Sequence, residues 1–405
     1  MLWQTLCMQD SVLGWAFGAV ALLVGLVTAL AMGKLLGIDP APGRNAAIDG
    51  LRGYLAFGVF LHHATVWYFY ARTGAWGPPP PSIYRELANT CVSLFFMITA
   101  YLFVGKLLDA RARPIDWTAL FVSRVLRLTP LYLLAMGALF LLVGALSGWQ
   151  LRVPPSALFE QAGHWLGFSM LKAPDVNGVP ATTLLMAGVT WSLAYEWLFY
   201  LSLPALALML RIRVPMALWI GCTVGVVLLV MNKPDAIFPT AFVKGAIAAF
   251  VSRQVRIATL LRAPGSGLLV LAAAWVAMFS HAPNALVTLL VLAGFCIVAC
   301  GNTVFGLLSN RAAVVLGDIS YGVYLLHGLL LSFTFMFILG QEGGAAMSPT
   351  LHWAIATAIG AGVVIAAALT YRFVEAPAMK QVKRVTAWMR RGRSSGATID
   401  VSGSS

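Results

Sequence analysis

Eleven apolar stretches, separated by short loops, decide most of what this chain can become. They cover residues 11–36, 51–70, 88–108, 125–146, 185–206, 215–231, 238–251, 267–280, 285–300, 319–339 and 351–373. About 20 consecutive apolar residues cross a bilayer as a helix. The expected fold is therefore all-α: a polytopic membrane bundle of about eleven transmembrane helices. Between residues 215 and 300 the runs shorten and the loops tighten, so helix boundaries are least defined there. Composition agrees: 60% of residues are hydrophobic and 10% are charged, against about 25% charged in soluble domains. That leaves too little polar sequence for a sizeable soluble domain.

The loops alternate in charge. One set carries Lys34 and Arg44; Lys106, Arg111, Arg113, Arg124 and Arg127; Arg211 and Arg213; Arg253, Arg256 and Arg262; and Arg311, and the tail from Lys380 to Arg393 completes it. The opposite loops, at residues 74–82, 148–187, 232–239, 281–284 and 340–349, are poor in Lys and Arg and rich in Gly and Pro. The positive-inside rule then puts the N-terminus outside and the C-terminus in the cytoplasm. It also accounts for the net charge of +13, and no aromatic-basic surface is left for nucleic acid. The first run lacks a basic leader and is longer than the apolar core of a secretory signal, although Thr28-Ala-Leu-Ala31 imitates a cleavage site. Residues 394–405 are Ser/Gly-rich and read as disordered. The five cysteines sit in or beside apolar runs without zinc-ligand spacing, and read as small buried hydrophobes.

Five places hold polar residues that lipid disfavours. In the second run Arg52 precedes His63 by eleven residues, almost three whole helical turns and a rise of roughly 16 Å. The two project from nearly one face, with His62 about 80° away, and ionisable groups at membrane depth are a functional hypothesis by default. Asp49 and Arg52, at i and i+3, have the spacing of an ion pair. Arg124-Val-Leu-Arg127 begins the fourth run, where two guanidinium groups suit either phosphate binding or interfacial anchoring. After Trp191, the residues Ser192, Glu196 and Tyr200 form a polar stripe at i, i+4, i+8. Tyr321 and Tyr324 offer hydroxyls at the start of the tenth run, with His327 a turn deeper. Glu375, two residues before Pro377, reads either as a site or as a helix stop.

In order, these segments resemble the membrane acyltransferase 3 family, the O-acyltransferases of bacterial surface glycans. The matching pieces are Asp49-Gly-Leu-Arg-Gly53 with His63, Phe95-Phe-Met-Ile-Thr-Ala100, Arg124-Val-Leu-Arg127, Trp191-Ser-Leu-Ala-Tyr-Glu196, Ser320-Tyr-Gly-Val-Tyr-Leu-Leu-His327 and Glu375-Ala-Pro377. The resemblance implies a ten-helix core with one extra helix in front. It divides the chain into an N-terminal helix and linker (1–47), an acyltransferase membrane domain (48–380) and a basic, then disordered, cytoplasmic tail (381–405). This chain departs at Thr99-Ala100-Tyr101, where relatives carry Ser-Gly-Phe, and at Glu196-Trp197, where many carry Glu-Glu. The first departure removes a helix-packing glycine and keeps a hydroxyl.

The same resemblance implies an acyl-CoA donor, usually acetyl-CoA, reached from the cytoplasm of a bacterial inner membrane. It implies a cell-surface polysaccharide or lipid-linked glycan hydroxyl as acceptor. With membrane lipid around it, the chain is expected either to finish the transfer itself or to hand the acyl group to a periplasmic partner, with a homo-oligomer as further company. A sugar hydroxyl needs a positioned base, a task an imidazole suits. His63 is the candidate, either as that base or as a covalent acyl carrier. Asp49, Arg52 and Glu196 complete the expected catalytic set, with Glu196 orienting the imidazole and Arg52 holding the donor or steadying developing charge. Arg124, Arg127, Tyr321 and Tyr324 are expected at the donor, and Trp191, Ser192 and His327 at the substrate. The outward loop 148–187, with Trp149, His164 and Trp165, is the expected acceptor reader, its aromatics being equally explained by interface anchoring. No metal is implied: the six histidines are scattered, and neither a nucleophile elbow, a phosphate loop nor a His-Glu-x-x-His pair occurs. The rival reading is a carrier or flippase using the same intramembrane groups as a relay.

Overall fold

The computed structural model describes residues 2–39, 43–110, 114–232, 239–280 and 285–396. Loop residues 233–238 and 281–284, Arg111, Arg113 and the Ser-rich end 397–405 lie outside them. Among the described residues the chain is helical and has no sheet. In chain order the helices are α1 (Leu2–Leu36), α2 (Ala46–Thr73), α3 (Ile83–Asp109), α4 (Trp117–Leu146), α5 (Pro155–Leu166), α6 (Trp191–Met209), α7 (Met216–Asn232), α8 (Pro239–Val251), α9 (Val255–Leu261), α10 (Ser266–Phe279) and α11 (Ala285–Ala299). There follow α12 (Arg311–Asp318), α13 (Ser320–Ser332), α14 (Gly340–Ala346), α15 (Pro349–Thr370), α16 (Ala376–Lys380) and α17 (Val382–Gly396).

All eleven apolar runs fall on helices, which makes this a multi-pass membrane protein, yet fewer than eleven helices meet the dimensions of a full span. Six are long and apolar enough, or seven if α9 and α10, bent by 74°, form one crossing. Helices α7, α8 and α11 have 17, 13 and 15 residues, and at about 1.5 Å per residue they fall short of a hydrocarbon core about 30 Å thick. Helix α2 has the length, with 28 residues, but His62 and His63 hold down its hydropathy.

Several ends differ from the sequence reading. Asp116 accepts a hydrogen bond from Ala119 N at 3.0 Å and starts α4 eight residues before the apolar run. Arg124 and Arg127 therefore stand two turns inside the helix rather than at its start. The run from 185 begins instead in a 3₁₀ turn, Thr182–Met186, and α6 opens at Trp191. Pro377 does not stop a helix. A π-helical turn, Tyr371–Glu375, follows α15, and the proline sits in the first turn of α16, where its missing N–H costs nothing. The basic tail is helical as far as Gly396, and its Arg390 pairs with Asp116.

Packing places α2 at the centre. One core cluster joins α1 to α2, α13 and α15 through Phe57, Phe60, Val323 and Val363, and a second joins α2 to α3, α8 and α11 through Val59, Met97, Ala248 and Phe295. The start of α2 lies hard against α12. A Cβ on Gly50 would fall on the Leu308 carbonyl oxygen, and one on Gly317 on that of Asp49. A Cβ on Gly53 would stand 2.8 Å from both the Ala313 carbonyl oxygen and Gly317 N. The glycines of Asp49-Gly-Leu-Arg-Gly53 thus form a flat seat for α12, and Arg52 projects from the other side.

Candidate functional site

The N-terminal end of α2 is fixed by its own polar residues. Asn45 caps it, accepting from Ala47 N and Ile48 N at 3.2 and 3.4 Å. Just before it, Arg44 forks between two buried carboxylates, reaching Asp49 at 2.5 Å and Asp318 at 2.6 Å. Burial raises the Asp318 carboxyl above its ordinary range, and the Arg44 charge opposes that shift. The expected Asp49–Arg52 pair is not made. Asp49 is taken by Arg44, and Arg52 has no ion pair among the described residues. Its guanidinium lines a cavity instead.

That cavity, about 300 Å³, lies between α2, α3, α4, α6 and α13. Five basic residues line it, Arg44, Arg52, Lys106, Arg124 and Arg127, against a single acidic one, Glu196. Exposed Lys106 and Arg44 mark its mouth. Arg124 and Lys106 both reach over the Phe103 ring, at 5.2 and 5.1 Å from its centroid. Such a surplus of positive charge in a partly enclosed cleft favours a polyanion, and guanidinium groups suit its phosphates. Deeper in, Tyr200 donates to Glu196, so this carboxylate is held within α6 rather than against His63. Tyr321 donates to Leu128 O at 2.9 Å; Tyr324 and Ser192 meet at 2.8 Å between their hydroxyls. Both tyrosines and Ser192 line the cavity.

His63 lies past this floor. Tyr324 lines the cavity, its ring centroid is 6.1 Å from that of His327, and His327 Nε2 is 3.1 Å from His63 Nδ1. His63 is half-buried, with Trp76 of the loop between α2 and α3 stacked alongside at 6.5 Å. His62 is turned away, its Nδ1 2.8 Å from Tyr84 O. The helical arithmetic thus separates Arg52, in the cavity, from His63, beyond its floor.

Other expected residues fall elsewhere. Trp191 packs against Phe96 and Tyr195 and does not line the cavity. Trp165 is a core residue: fully buried, it donates to Pro174 O at 2.8 Å while its own carbonyl accepts from Tyr132. Of that loop's aromatics, Trp149 is exposed. Among the described residues no three His, Cys, Asp or Glu side chains come together as a metal site.

Sequence reasoning missed Arg44, Asp318 and Lys106, taking the two cations for topological charges. An aspartate at the end of the loops rich in Lys and Arg was the available signal for Asp318. Glu375 is buried with neither carboxylate oxygen hydrogen-bonded, within electrostatic reach of Arg127 and Arg52. A helix stop would not require that.

A comparison with family models matches residues 45–372 to the one described as an acyltransferase domain. No curated protein and no solved structure matches the chain.

Proposed function

The chain belongs to the acyltransferase 3 family, and from that premise we propose that it moves an acyl group, acetyl in the first instance, from acyl-CoA to a hydroxyl of a cell-surface polysaccharide or lipid-linked glycan in a bacterial inner membrane. The observation that carries this reading is the basic cavity whose floor, at Tyr324, adjoins the His63–His327 pair. Arg124, Arg127 and Lys106 suit the phosphates of the donor, with the thioester directed past Arg52 toward His63. His63 takes the proton of the acceptor hydroxyl as its oxygen attacks the thioester carbonyl carbon. The carbon–sulfur bond breaks, and the departing thiolate takes that proton as free CoA. In the covalent variant the imidazole attacks first and the hydroxyl displaces it. Arg52, on the cavity side of the floor, is assigned to hold the donor in either case.

The test is release of free thiol from acetyl-CoA by the purified protein in lipid vesicles, paired with mass spectrometry of surface glycans from cells with and without the gene. Substrate movement with no thioester consumed, and glycans unchanged by loss of the gene, would overturn the reading in favour of a carrier.

The phosphate assignment has its own test. Each charge-assisted contact is worth about 1.5–3 kcal/mol. Arg127→Ala is accordingly expected to raise KM for acetyl-CoA by roughly 10- to 100-fold. Acetyl-pantetheine, which lacks the nucleotide phosphates, should be used equally well by the variant and the native protein. Equal losses with both donors would remove Arg127 from the phosphate site.

A further inference from the structure

We propose that His327 is a positioning residue, which holds His63 with its ring proton on Nδ1 so that Nε2 carries the lone pair used in acyl transfer. The inference rests on the reading of His63 as base or acyl carrier and goes beyond it, since it assigns the working nitrogen and what fixes it.

The assignment follows from which partners can only accept. His327 Nδ1 faces Val323 O at 3.1 Å, and a carbonyl oxygen has no proton to give. His327 Nδ1 is therefore the donor, and in a neutral imidazole the other nitrogen, Nε2, is then an acceptor. That acceptor lies 3.1 Å from His63 Nδ1. His63 Nδ1 must donate to it, and Val59 O, also at 3.1 Å, independently requires the same proton position. Two carbonyls on two helices thus fix one arrangement: Val323 orders His327, His327 and Val59 order His63, and His63 Nε2 is left free.

Among the described residues no carboxylate lies within hydrogen-bond distance of either ring, so His327 occupies the place an acidic residue holds in a serine-hydrolase triad. When Nε2 takes the hydroxyl proton, the imidazolium formed on His63 still donates from Nδ1 to His327, which disperses the new charge without a buried anion. The covalent variant uses the same lone pair, forming the bond from Nε2 to the acyl carbon as the thiolate leaves. His327 touches neither acyl group nor acceptor in this scheme, in contrast to the substrate contact expected from the sequence. Its complete burial agrees with that.

The test uses the full chain, labelled with ¹⁵N-histidine and studied in lipid bilayers by solid-state NMR, with His63→Gln assigning the His63 signals. A protonated Nδ1 and an unprotonated Nε2 on His63 are expected. In thiol-release assays, His327→Leu should lower kcat by on the order of 10- to 100-fold with KM for acetyl-CoA within about twofold. His327→Gln, which returns an acceptor oxygen near the position of Nε2, should recover most of that loss. A proton found on His63 Nε2 in the native protein overturns the proposal, as do equal kcat losses in the Leu and Gln variants. The spectrum is read without turnover. A failure of the acyl-transfer reading would therefore appear in His63 variants and leave the tautomer result standing.

Discussion

Replacing His63 with alanine is expected to lower acyl transfer by roughly 10²- to 10⁴-fold, the usual contribution of a positioned base, and to remove it entirely if the imidazole carries the acyl group. The membrane domain should survive the change, because His63 is half-buried and the neighbouring α2 residues Phe57, Phe60 and Ala64 supply the packing. The measurement is thiol release from acetyl-CoA in vesicles, beside a size-exclusion profile and melting curve of the same preparation. His62→Ala is the matched control. His62 shares the helix and the residue type, but it is committed to Tyr84 O on another face, so most activity should remain. Near-native turnover in His63→Ala, or equal losses in both variants, would remove His63 from the chemistry.

The second large effect concerns assembly. Gly317→Val would drive a branched side chain into the backbone of Asp49, the residue that opens the seat between α2 and α12. Overpacking costs about 1–3 kcal/mol where neighbouring side chains can yield. Here the obstacle is a carbonyl inside a helix, so the loss should exceed that range and cost the protein its monodisperse form in detergent. Gly317→Ala should fall between valine and the native residue in melting midpoint. A valine variant that melts like the native protein would show that the seat is looser than described. Because Arg52 leaves α2 opposite this seat, whatever activity survives should carry a raised KM for acyl-CoA.

These two sites differ in how readily the sequence disclosed them. His63 was legible because helical periodicity is a local property: counting residues from Arg52 gives its face without a partner in view. The polar stripe of Ser192, Glu196 and Tyr200 was legible for the same reason. What joins distant segments was not. The carboxylate of Asp49 meets Arg44 and not Arg52, since the bridging geometry depends on Asp318, which no spacing rule connects to residue 44. Trp165 looked like an interfacial or glycan-facing aromatic, and only the fold shows it closed over by α4 and its own loop. Helix boundaries failed where apolarity and helicity part company: α4 begins in the polar turn after Asp116, so a search for apolar runs starts it too late. The glycines at 50 and 53 are unremarkable until α12 is seen against them.

The cavity between α2, α4 and α6 has a consequence for the protein at rest. Apart from Arg44, which Asp49 and Asp318 hold, four cations face one carboxylate, itself engaged by Tyr200, so the cleft works against its own closure. An anion that enters acts as mortar between helices that would otherwise push apart, and one that binds only the assembled form must stabilise it by mass action. CoA without any acyl group should then raise the melting midpoint, and sulfate or phosphate should do so more weakly. On the proposed reading the donor is also a structural element of the protein, supplied afresh with each turnover.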